Sequence, residues 1–323
     1  MVEVVYDRGE AGAAVQRRTP DSTGKSHWQL PPARTGIPTL MTTRRYLQLD
    51  VFSDRPGAGN PLGVVLDAQG MDEAAMQALA AWLNLSETVF FLPPDPGADY
   101  RIRIFTPRME LPFAGHPSVG AAWAAVAHGL ARPDGGSLVQ QCAAGLLPVR
   151  VEGEASAALT HVRSPRAQLR DLAAPALPPA LAAIAAPGQA ATLWNNGPDW
   201  WLQEVADEAA LRSYPPDFAA LAALPGHGKL AAFALTGRQD YQVAVRGFAP
   251  GVGVPEDPVT GSANALIGAW LAHHRRLPSG DRYVASQGRE LGRDGRVQVQ
   301  VDADGEVWIG GSTRQVIDGR IDW

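Results

Sequence analysis

Phe105-Thr-Pro-Arg-Met-Glu-Leu-Pro-Phe-Ala-Gly-His-Pro-Ser-Val-Gly-Ala-Ala-Trp123 has an altered second copy later in the chain. That copy is Phe248-Ala-Pro-Gly-Val-Gly-Val-Pro-Glu-Asp-Pro-Val-Thr-Gly-Ser-Ala-Asn264, running on into Gly268-Ala-Trp270. In both, Phe-x-Pro is followed five residues later by another Pro, then by a turn-rich polar cluster and a helix of small residues. Each copy reads as a strand end, a loop and a helix N-terminus. The loop–helix junctions carry His116 and Ser118 in one copy, and Glu256, Asp257, Thr260 and Ser262 in the other. The remaining chain reads as two halves that bring these junctions face to face.

The segments leading to the first junction alternate in polarity or are uniformly apolar, as strands do. They are Tyr46–Phe52, Gly63–Leu66, Leu85–Leu92 and Tyr100–Phe105, with a helix expected over Asp72–Asn84. The helix expected over Pro117–Leu130 has no polar face, which marks it as buried. Strands at 138–141, 146–151 and 157–162 close the first half, and the Ala/Pro-rich span Asp171–Gln189 reads as a link. The order then recurs: a turn at Asn195–Pro198, a strand at Trp200–Val205, helical segments over Asp207–Leu224 and a strand at Lys229–Leu235. Gln242–Val245, an apolar helix over Gly261–His274, a hairpin at 297–309 and a last strand at Gln315–Ile317 complete it. Helices alternating with strands allow a parallel α/β fold, but the many hairpin-length turns favour mixed, largely antiparallel sheets. The fold class expected is α+β: residues 41–170 and 190–323 as two similar domains, each a curled mixed sheet around an apolar helix. The final strand is expected to return to the first domain, and residues 1–40, rich in Gly, Pro, Arg, Ser and Thr, to be a flexible or draped extension.

A 323-residue chain that is 46% hydrophobic and 19% charged has ample material for a core. Its net charge of −5 and pI near 5.8 speak against nucleic-acid and anionic-membrane partners. No apolar run reaches the ~18–20 residues of a membrane span. Cys142 is the only cysteine, which excludes an internal disulfide and a cysteine-cage metal site and suits a cytoplasmic protein. Walker-A, Gly-x-Gly-x-x-Gly, His-Glu-x-x-His and Gly-x-Ser-x-Gly patterns are absent. Trp200 and Trp201 read as strand-packing residues.

Why should the two junctions carry chemistry? The first N–H groups of a helix lack intrahelical partners, and the helix dipole leaves that end partly positive. A carboxylate is an apt ligand there. Gly115 and Gly261 let a ligand approach the backbone, and Ser118 and Ser262 can cap or donate. The competing reading is that Ser, Thr and Asp at these junctions are ordinary N-caps. Glu87 is the candidate base, because apolar Val89–Leu92 beside it can raise its pKa toward neutrality; otherwise it is an exposed acid at a strand start. The matching place in the second half, Lys229–Leu235, has no acid, which favours one base working on one face of the substrate. His116, between Gly115 and Pro117, fits a site role better than a core histidine bonded to backbone. Of the adjacent acids Glu256 and Asp257, one is expected to be surface charge; Asp257, nearer the helix, is the preferred site residue.

These residues resemble the PhzF-like family of phenazine-biosynthesis isomerases over about Tyr46–Gly319. The resemblance rests on Gly59-Asn-Pro61, Ser86-Glu-Thr-Val-Phe90, Phe105-Thr-Pro107 with Glu110–Pro117, and Glu256-Asp-Pro-Val-Thr-Gly-Ser-Ala263. It implies a diaminopimelate-epimerase-like fold with the site between two domains, and a homodimer without cofactor or metal. It further implies that Glu87 moves a proton between carbons of a small carboxylic acid, assisted by His116 and Asp257. Gly261 and Ser262 would lie at the substrate carboxylate and Gly115 at the other junction; Asn60 and Ser118 complete the substrate-binding candidates. Related racemases of this fold use one cysteine from each domain, and neither junction here has one. Two rival functions remain in view: an epimerase working through carboxylate and imidazole, and a non-catalytic metabolite-binding protein. The Gly-Arg-Pro-Ser-like segment of many relatives reads Gly292-Arg-Asp-Gly-Arg296 here, a departure on one side of the substrate site.

Overall fold

The computed structural model describes residues 42–277 and 282–323, and the expected extension at 1–40 lies outside them. The first half lays down β1 (Thr43–Val51), β2 (Asn60–Val65), α1 (Glu73–Leu83), β3 (Glu87–Leu92) and β4 (Tyr100–Phe105). It continues with the two-residue β5 (Glu110–Leu111), α2 (Gly115–Ala127), β6 (Ser137–Cys142), β7 (Gly145–Glu152) and β8 (Leu159–Arg163). The span expected as a link holds the one-turn α3 (Pro179–Ala182), preceded by β9 (Gln168–Arg170). The order then repeats as β10 (Thr192–Asn195), β11 (Asp199–Glu204), α4 (Glu208–Ser213), α5 (Phe218–Ala222), β12 (Leu230–Leu235) and β13 (Val243–Ala249). β14 (Val254–Asp257), α6 (Gly261–His273), β15 (Arg282–Gln287), β16 (Gly295–Val301), β17 (Val307–Gly311) and β18 (Thr313–Asp322) follow.

The pairings repeat as well. In the first half β1–β2 and β3–β4 are antiparallel, β2–β3 and β4–β6 are parallel, and β6–β7–β8 is an antiparallel meander. In the second, β10–β11 and β12–β13 are antiparallel, β11–β12 and β13–β15 parallel, and β15–β16–β17 antiparallel. Parallel neighbours need a crossover connection, and each parallel pair here brackets a helix: α1 and α2 in one half, α4 with α5 and α6 in the other. The halves join where β8 pairs antiparallel with β17, Ile309 opposite Val162 and Gly310 opposite His161. They also exchange strands: β9 pairs with β10, and β18 pairs with β1.

The central helices are wrapped by these curls. In α2 every residue from Gly115 to Ala125 is buried; in α6 Ala263–Gly268, Trp270 and Leu271 are. α2 begins two residues before the expected Pro117, because a proline in the first turn lacks only an N–H that has no intrahelical acceptor there. It ends at Ala127, with Gly129 at φ +68° breaking the run. The inner core gathers Leu47, Leu49, Val51, Trp123, Phe233 and Trp270. The outer sheet faces are covered separately. α1 covers Tyr46, Phe90 and Phe105, and the α4–α5 region covers Trp201, Tyr241 and Phe248.

Candidate active site

The two loop–helix junctions meet. A Cβ placed on Gly261 would lie 3.2 Å from Gly115 Cα and 3.1 Å from the His116 amide nitrogen. A Cβ on Gly115 would lie 3.3 Å from Gly261 Cα and 2.7 Å from Cδ1 of Ile309, which projects from the β8–β17 seam. A side chain at either position would press on the facing backbone and on Ile309, so glycine suits this close approach. Neither start has a side-chain cap: the N-cap residues are Ala114 and Thr260, and no side chain accepts from the first turn. Three of the four other helices, α1, α4 and α5, behave differently, with Asp72, Asp207 and Asp217 accepting from the amides of Ala75, Ala210 and Ala220 at 2.8–3.0 Å, while the one-turn α3 has no side-chain cap. Ordinary N-capping therefore explains α1, α4 and α5 and not the central pair, whose first amides are left to face the junction.

Glu87 opens β3, its side chain 17% exposed, with Oε2 3.4 Å from His116 Nδ1. Its alternative as an exposed strand-start acid is thereby set aside. Burial, then the negative charge of Asp257, push its pKa up to about 8, and the positive charge of Lys229 acts against them. His116 is buried, and loss of hydration drives its pKa down to about 3, against a smaller opposing effect of the Pro61 carbonyl. At neutral pH the pair is therefore a protonated carboxyl beside a neutral imidazole. Glu87 Oε2 and His116 Nε2 are buried without hydrogen-bond partners among the described residues, and such atoms call for an explanation. A bound ligand supplies one.

Asp257, at the end of β14, faces them from the other half. Its Oδ1 accepts from Asn60 Nδ2 at 3.2 Å and its Oδ2 from Thr260 Oγ1 at 2.6 Å. Burial raises its pKa to about 6, and these two hydrogen bonds restrain the shift. Asn60 lies at the start of β2 and also donates to the Val259 carbonyl at 2.9 Å, so it ties the halves together beside the acid. Gln287 on β15 braces the same corner. Its Oε1 accepts from the Thr260 amide and Asn264 Nδ2, and its Nε2 donates to the Asp257 carbonyl and Thr260 Oγ1, at 2.9–3.0 Å. Nothing in the sequence around Gln287 signals this role, because the contact spans 30 residues.

Ser262 sits at the second position of α6, its Oγ accepting from Trp200 Nε1 at 3.1 Å. Trp200 thus packs in its strand as expected and also reaches the junction. Ser118 stands apart: fully buried, its Oγ accepts from Gln140 Nε2 at 3.0 Å, and Gln140 Oε1 accepts from Tyr100. That chain runs into the first half's interior. Glu256 corrects an expectation, since neither acid of its pair is surface charge. Its side chain is 6% exposed and clasped bidentately by Arg246, both bonds 2.9 Å. Two surface cavities, of about 560 and 200 Å³, lie elsewhere, one beside Ala272 and Leu277, the other beside Ser156 and Thr313.

The arrangement can hold a small anion at the paired helix starts while Glu87 exchanges a proton with it. Residues 49–319 match the family model of phenazine biosynthesis-like proteins. A trans-2,3-dihydro-3-hydroxyanthranilate isomerase of Pseudomonas aeruginosa is 34% identical, over 85% of this chain and 98% of its own. A crystal structure of a Bacillus anthracis phenazine biosynthesis protein of the PhzF family superposes with a TM-score of 0.76 at 26% identity, covering 87% of this chain and 99% of that one. An Agrobacterium vitis hydroxyproline epimerase, 14% identical over 86% of this chain and 92% of its own with a TM-score of 0.60, shares the fold. With most of its length matched by one family model and by a relative of that identity, the chain belongs to the phenazine biosynthesis-like protein family.

Proposed function

We propose that this protein is an isomerase that moves a proton from one carbon to another within a small carboxylic acid. The observation that carries the reading is Glu87: a buried carboxyl of raised pKa, 3.4 Å from a neutral His116 and beside two uncapped helix starts. The substrate carboxylate lies at the amides of α2 and α6. Ionised Glu87 takes a proton from an activated C–H, and the bonding electrons delocalise toward the carboxylate, where helix-start amides stabilise the charge. The protonated Glu87 then delivers the same proton to another carbon of the delocalised system, and the carboxylate base is restored. His116 keeps Glu87 oriented, Asp257 tunes its basicity and Ser262 anchors the acid. The relative's named substrate, a dihydro-hydroxyanthranilate, is of the required kind, a cyclic unsaturated acid. The step as written uses side chains and backbone amides of this chain. Kinship and the single cysteine support a homodimer working in the cytoplasm.

Glu87 and His116 come from the same half and lie side by side. An epimerase needs its two bases on opposite faces of one carbon; the acid across from this pair, Asp257, has both oxygens occupied by Asn60 and Thr260, which favours one-face transfer. Turnover in heavy water tests the reading: product that retains a fraction of the substrate's own hydrogen at the receiving carbon supports it. Complete solvent deuterium at an inverted carbon overturns it.

The pH profile gives a second test. A base must be ionised, so kcat/KM rises with pH along a limb whose apparent pKa is about 8. Asp257 raises that value through its charge, so Asp257→Asn shifts the limb toward lower pH even as it lowers the maximum. An unmoved limb in the variant argues against the electrostatic link.

A further inference from the structure

Strand register gives a correspondence between the halves that ends on an unexpected residue. Thr88 pairs with Phe105 of the first Phe-x-Pro, and Leu230 pairs with Phe248 of the second. The residue preceding each partner is Glu87 in one half and Lys229 in the other. Where the first half presents a carboxyl group to the junction, the second presents an ammonium group.

Its surroundings place it at the site. Lys229 Nζ is 5.8 Å from the centre of the Trp200 ring, and the same indole donates to Ser262 at the start of α6. The Lys229 carbonyl accepts from the Trp201 amide at 3.0 Å, which fixes the backbone there. The side chain is half-buried, its charge acts on Glu87, and Asp199 and Glu87 are the acids that act on it. Among the described residues its Nζ forms no salt bridge or hydrogen bond. The Trp200 ring offsets only part of the cost of taking an ammonium from water, and a charge-assisted bond to an anion offsets more.

We propose that Lys229 receives a second anionic group of the substrate. The site then takes small acids with two negatively charged groups, one at the uncapped starts of α2 and α6 and the other at Lys229. This rests on the carboxylate site proposed above, and it adds the substrate class. A monoacid leaves either the amides or the ammonium without an anion; a diacid satisfies both.

Calorimetric titration at pH 7 with benzoate, phthalate and isophthalate tests it, on the wild type, Lys229→Met and Lys229→Arg. The wild type is expected to bind the better diacid at least tenfold more tightly than benzoate. Lys229→Met loses that preference while its benzoate affinity stays within twofold, and Lys229→Arg keeps most of the preference. A wild type without preference, including one that binds none of the three, overturns the proposal. So does a Lys229→Met variant that weakens benzoate as much as the diacid. These equilibria are read without turnover. Failure here leaves proton transfer by Glu87 standing, and failure of the heavy-water test leaves this result readable.

Discussion

Glu87→Gln is expected to lower turnover by roughly 10²–10⁴-fold, the usual contribution of a positioned acid–base group, while affinity for a carboxylate ligand changes by no more than a few-fold. Glutamine has the same shape and keeps the hydrogen-bonding reach toward His116, but it cannot take a proton from carbon. The same substitution has a second consequence of opposite sign. The folded-state pKa of Glu87, about 8, lies above its ordinary 4.5. Its contribution to stability is therefore complete below about pH 4.5 and lost as pH rises through 8. Glutamine never ionises, so at pH 9 the variant should unfold less readily than the wild type, by about 3–5 kcal/mol at full ionisation. The gap should narrow as pH falls toward 4.5. Loss of turnover with a gain in alkaline stability identifies a group held against its own preference for function. A variant that is inactive and less stable at pH 9 would instead mark Glu87 as a structural residue.

Arg246→Met carries the largest expected loss of stability. The Arg246 and Glu256 side chains are 3% and 6% exposed. Arg246 grips both carboxylate oxygens and also donates to the carbonyls of Leu211 and Tyr214. Removing one member of a buried pair strands the other charge, at a cost of about 3–5 kcal/mol, equivalent to a fall of roughly 5–12 °C in melting temperature for a chain of this size. The Tyr214 carbonyl loses this donor as well, and the Leu211 carbonyl is left with only the Tyr214 amide. Chemical denaturation measures the effect, and the double variant Arg246→Met with Glu256→Leu should recover much of it, since a matched apolar pair strands no charge. Because Glu256 directly precedes Asp257, the single variant should also weaken ligand binding. A single variant within 1 kcal/mol of wild type would show that the pair is dispensable.

Much of this site was legible from local sequence because the relevant signals are local. Gly115 and Gly261 stand before runs of small residues that can only be buried helices, and Glu87 stands before four apolar residues that remove it from water. The repeated Phe-x-Pro spacing exposed the two-half plan, and alternation placed the strands. What escaped reading depends on contacts distant in sequence. Glu256 resembles surface charge until Arg246 is folded onto it. Ser118 resembles a capping residue until Gln140, 22 positions away, is seen to hold it. The absence of caps on α2 and α6 is invisible in composition, since Thr260 is a residue that caps well in other settings. Sequence matches the segment Lys229–Leu235 to the place of Glu87, but only strand register sets Lys229 itself at the position of Glu87.

The reciprocal loan of end strands has a bearing on how the protein is made. Thr43 in β1 touches Asp322 in β18, 279 positions apart. During synthesis the first strand emerges long before its final neighbour exists, and its free side is an open template for wrong partners in the meantime. Neither half can close its curl unaided. Pairing of β1 with β18 therefore waits until β18 has been made, and the long separation makes for slow folding. A chain clipped at β18 would lose the lid on its oldest strand, however intact the crevice around Glu87.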